Sequence, residues 1–81
     1  MTTPMHPNAM HRHQVLELLY LALEKAPARG WVNVRELKKL GDIEFALSCL
    51  EKLGHAKQDG FNVEITGAGI LAYEAACTQG D

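Results

Sequence analysis

The sequence predicts a small α+β fold: a three-helix core, a small antiparallel sheet, and a last helix behind a hairpin. Three observations predict it. Apolar residues recur at helical spacing in separate stretches, such as Ile43, Ala46, Leu47, Leu50 and Leu53. Asp59-Gly60 separates two short segments, "HAKQ" and "FNVEI", and is a strong two-residue hairpin signal because both residues tolerate positive φ. The helical stretches are bounded by Asn, Asp, Thr, Gly and Pro, which start and stop helices. With 81 residues the chain has room for one domain, expected over 9–77, with a flexible leader over 1–8 and a frayed tail over 78–81.

The elements follow in order. Asn8 is placed to cap a first helix from about Ala9 to Ala26, which Pro27 stops and Gly30 turns. From Val15 to Leu23 Glu17 is the one polar residue set against an apolar run, so this helix is apolar on more than one face. That face, around Leu16, Tyr20 and Leu23, suits burial in the domain's own core or a homodimer contact through the first and fourth helices. Trp31-Val32 reads as a short strand, with Trp31 packed structurally beside the hairpin. Asn33 and Glu36 form a capping-box arrangement that opens a second helix. Its inner face is Val34, Leu37 and Leu40, and its outer face is Arg35, Lys38 and Lys39. Gly41 ends it, and Asp42 caps the third helix, which Gly54 closes. Thr66 caps a fourth helix, roughly Ala68 to Cys77, anchored by Ile70, Leu71 and Tyr73. "GAG" at Gly67 to Gly69 is too short for a phosphate loop and instead relieves crowding where that helix begins.

Composition narrows the function classes. Net charge is −2 and the pI is near 6.0, so there is no bulk attraction to nucleic acid or anionic membrane. The run "VLELLYLAL" is shorter than the roughly 20 residues a bilayer span needs. The first residues lack the plan of a signal peptide, so a cytoplasmic location is expected. Cys49 and Cys77 match no zinc or redox spacing and read as free thiols. His11 and His13 are two apart and point to different sides of a helix, unlike a metal pair. No nucleophile, acid–base or cofactor motif stands out, so the expectation is a non-enzymatic protein with no metal and no cofactor.

The span from Ile43 to Gly69 resembles the recognition helix and wing of winged helix-turn-helix transcription regulators, in particular the multiple-antibiotic-resistance-regulator type. The resemblance lies in Ile43, Ala46-Leu47, Leu50-Glu51, Gly54, the turn Asp59-Gly60, Val63, Ile65-Thr66 and Ala68-Gly69. The order helix, strand, helix, helix, hairpin, helix extends it over most of the chain. The resemblance implies DNA docking, with the third helix toward the major groove. Arg35, Lys38, Lys39, Lys52 and Lys57 would then hold phosphates, and Ser48 would meet a base edge. The other outward positions, Glu44, Phe45 and Cys49, differ from the Ser, Arg, Lys or Gln common in that family. They suit a weak, backbone-directed docking with little sequence specificity. The same residues support an alternative, a protein-interaction module whose apolar patch is Phe45, Cys49 and Phe61.

Overall fold

A computed structural model describes residues 6–78 and shows an α+β architecture. Its elements are α1 (Pro7–Lys25), β1 (Trp31–Asn33), α2 (Val34–Leu37) continuing into a 3-10 turn (Lys38–Leu40), α3 (Glu44–Lys52), β2 (Ala56–Asp59), β3 (Asn62–Ile65) and α4 (Gly67–Thr78). The sheet is antiparallel with β3 at its centre, in the order β1-β3-β2. The expected element order is therefore present. The first five residues and those beyond 78, expected as leader and tail, lie outside the described residues.

The core forms where the helical stripes meet the inner sheet face. Val15, Leu16 and Leu19 of α1, Leu37 of α2, Ala46, Leu47 and Leu50 of α3, and Val32, Val63 and Ile65 of the sheet are all buried, with Ile43 and Ala56. Each large aliphatic side chain removed from water contributes about 1.5–3 kcal/mol. The apolar breadth of α1 has an intramolecular cause, because α1 packs on α3, β1, β3 and α4. Leu16 belongs to the core, and Tyr20 and Leu23 pack against it half-buried.

Several helix ends follow their capping residues. Asn33 Oδ1 caps α2, accepting from Arg35 N at 2.9 Å, whereas the N-cap position of α3 is Ile43 and not Asp42, whose Oδ1 accepts from Glu44 N at 3.2 Å from one residue further back. Gly54, at φ +76°, closes α3 as a Schellman motif, with His55 N donating to Leu50 O at 2.8 Å and Gly54 N to Glu51 O at 3.0 Å. Thr66 caps α4, its Oγ1 accepting from Gly69 N at 3.1 Å and donating to Gly54 O, so one side chain ties α4 to the end of α3.

Other expectations are corrected. α1 starts at Pro7, because proline's fixed φ suits the first helical position, and His6 rather than Asn8 supplies the cap through Nδ1 at 3.1 Å. Glu36 is drawn to Lys39 Nζ at 3.5 Å, leaving Asn33 as the capping contact seen in the box. The hairpin is where expected, but Asp59 pairs with Asn62, so its two-residue loop is Gly60-Phe61. Gly60 has φ +64° and no described non-glycine residue has positive φ, which suits glycine leading a II′-like turn. Leu53 lies past the last helical turn and is 54% exposed, and Leu71 faces away from α1 at 70% exposed; neither is a core anchor. Trp31 is 44% exposed on the outer sheet face rather than packed away. Among the described residues, no helix is long and apolar enough to cross a membrane.

Candidate docking surface on α2, α3 and the hairpin

The tight connection at Gly41-Asp42 sets α2 against α3 and opens a shallow groove between them and β2. The groove is about 270 Å³ and is lined by Val34, Lys38, Ile43, Glu44, Leu47, Ser48, Glu51 and Gln58. Ser48, the expected base contact, thus stands between Glu44 and Glu51 rather than among cations. The spacing 44, 48, 51 puts the three on one flank of α3. The same spacing is legible in the sequence, next to the apolar stripe of the helix.

The five expected phosphate-binding cations are all exposed but not equivalent. Lys39 is 3.5 Å from Glu36, and Lys57 is 3.1 Å from Glu64. Arg35, Lys38 and Lys52 have no ion-pair partner among the described residues. Lys57 also lies on the outer face of the sheet, directly opposite Glu64 in register, whereas Val32 and Val63 face the core. Strand alternation therefore removes it from the α2–α3 side. Between Val34 and Ile65 the chain carries five cations against six carboxylates. The potential there is close to neutral.

The expected apolar patch divides. At about 100° per residue, Phe45, Cys49 and Leu53 align along α3 on the flank away from the Glu44–Ser48–Glu51 groove. Phe45 is 60% exposed, Cys49 half-buried, and Leu53 lines a second shallow groove beside α1 and α4. Phe61 sits at the hairpin tip, 76% exposed, and its carbonyl accepts from Val34 N at 2.8 Å, which holds the tip against the start of α2. The one-residue shift of the turn is what lifts Phe61 out of the strand. Phe61 lines neither of the two grooves that border α3.

Behind this surface, α4 is locked to α1 by contacts that single-residue reading missed. Tyr20 Oη donates to Glu74 Oε2 at 2.7 Å, and Tyr73 Oη donates to Glu17 Oε2 at 3.0 Å, a crossed pair between the two helices. The Tyr20 and Tyr73 rings lie 4.6 Å apart, and His13 stacks on Tyr73 at 5.2 Å. Both phenols are held protonated to higher pH than usual. For Tyr20 the main cause is the bond to Glu74; for Tyr73 it is hydrogen bonding with Cys77, then burial and the bond to Glu17. His11 points elsewhere, its Nε2 enclosed without a hydrogen-bond partner among the described residues. Cys49 and Cys77 are unbridged. Among the described residues, no three His, Cys, Asp or Glu side chains gather as metal ligands do.

Comparison of the chain with family models, with curated proteins and with solved structures found no match.

Proposed function

We propose that the chain is a winged-helix module of transcription-regulator type, non-enzymatic and cytoplasmic, that docks weakly on the DNA backbone with little sequence preference. The observation that carries the reading is the trio Arg35, Lys38 and Lys52, exposed and free of carboxylate partners among the described residues, on two helices joined by a tight Gly41-Asp42 turn. Arg and Lys contacts to phosphate supply sequence-independent affinity. Glu44 and Glu51 beside Ser48 disfavour close approach of α3 to the duplex, so Ser48 is a weak reader of base edges and the second helix carries the docking. Lys39 and Lys57 contribute less, because each would first have to leave a carboxylate. A second copy of the chain, as the family resemblance implies, would meet this one through Leu71 and the outward side of α4 together with Leu21, since Leu16 is committed to the core.

A second reading is favoured by a separate observation, the exposure of Phe45 and Phe61. Exposed aromatics of that size suit a protein partner. Lys38→Glu tests the two together. It abolishes low-salt DNA binding if the first reading holds and leaves it unchanged if the trio is only a solvated face. Phe45→Ala removes the aromatic of the α3 ridge, and is expected to spare DNA binding while abolishing binding to a protein partner if the second reading holds.

A further inference from the structure

We propose that the outer face of the sheet receives an arginine side chain presented by a protein partner. Strand register places Trp31, Glu64 and Lys57 in one row across the sheet, with Asn62 and Asp59 adjacent in the next. These residues, with Gln58, line a groove of about 480 Å³ with the half-exposed indole of Trp31 among its walls. Lys57 and Glu64 neutralise each other at 3.1 Å. The Asp59 carboxylate has no hydrogen-bond or ion-pair partner shown among the described residues, and it leaves the groove with one negative charge in excess.

A flat cation with several N–H donors fits this set. A guanidinium stacks on an indole face while donating in parallel to a carboxylate; an ammonium has the charge without the plane. Phosphate is repelled by two carboxylates against one lysine. The source is a polypeptide, because β2 is an edge strand whose outward backbone groups lie beside the groove and can pair with a partner's main chain. This face is separate from the α2–α3 side, and the inference does not rest on DNA docking.

Trp31 is the only tryptophan, so its fluorescence reports on this site alone. The capped tripeptides Gly-Arg-Gly, Gly-Lys-Gly and Gly-citrulline-Gly are titrated at constant ionic strength without DNA. The expected result is a saturable change with the arginine peptide, weaker by about tenfold with Asp59→Asn, since one charge-assisted bond is lost. Glu64→Gln, a second exposed-face variant, also weakens it by freeing Lys57 to repel the ligand. Equal responses to the three peptides, or an arginine response unchanged in both variants, would overturn the proposal.

Discussion

Replacing Gly69 by alanine probes the joint between α4 and the rest of the domain. A Cβ at this position would lie 2.1 Å from the His55 carbonyl oxygen and 2.7 Å from Ile65 Cγ1. The oxygen belongs to backbone and already accepts from Thr66 N at 3.0 Å, so it has little freedom to move. Relief requires α4 to shift by about 1 Å, which strains the packing by about 1–3 kcal/mol and weakens the Thr66 cap by about 1 kcal/mol. Alanine's better helix propensity returns about 1 kcal/mol. The net expectation is a loss of about 1–3 kcal/mol, or roughly 5–20 °C in Tm for a domain of this size. Gly67 provides the control: it lies in the same first turn, a Cβ there meets nothing within 4 Å, and Gly67→Ala is expected to be neutral or to stabilise by up to about 1 kcal/mol. Thermal and urea unfolding followed by circular dichroism compares the two variants. Equal stability of Gly69→Ala and Gly67→Ala would refute the claim that the glycine is required by close approach to His55.

Other expectations follow from the same contacts. Thr66→Ala loses both the α4 cap and the tie to Gly54, and should lower stability by about 1–2 kcal/mol in urea melts. Tyr20 and Tyr73 hold their protons more tightly in the folded chain than the ordinary value of 10.0 allows. Their contribution is therefore complete below that value and is lost as pH rises through the folded values. Melting curves from about pH 8 to about pH 11 should show an alkaline decline that is smaller in the Tyr20→Phe, Tyr73→Phe double variant, and an equal decline in both proteins would count against it. If two copies associate through α4, Leu71→Lys should shift sedimentation equilibrium toward monomer, whereas Leu16→Lys should instead unfold the chain.

Much of the architecture was legible because it depends on short-range chemistry. The stripe from Ile43 to Leu50, the caps Asn33 and Thr66, and the stops Gly41 and Gly54 each act within a few residues. What stayed hidden depends on register and distance in space. Asp59-Gly60 signals a hairpin but does not say which pair forms the loop, and a shift of one residue moved Phe61 from strand to tip. Trp31 in a short strand carries no mark of which sheet face it takes. Residue type identifies Lys39 and Lys57 as cations; only the fold brings Glu64 to Lys57, although Glu36 three residues before Lys39 was a local clue. The crossed contacts Tyr20–Glu74 and Tyr73–Glu17 join residues more than fifty positions apart, beyond the reach of any local pattern.

The most direct test of the DNA-docking reading is an amide-shift NMR titration with a random-sequence DNA duplex at low and then physiological salt. Shifts should centre on Arg35, Lys38 and Lys52 and fade as salt rises. The slope of log K against log salt should be about −2.7 for three phosphate contacts, rather than about −4.5 for all five cations. Absence of shifts at low salt, or shifts confined to α1 and α4, would contradict the account.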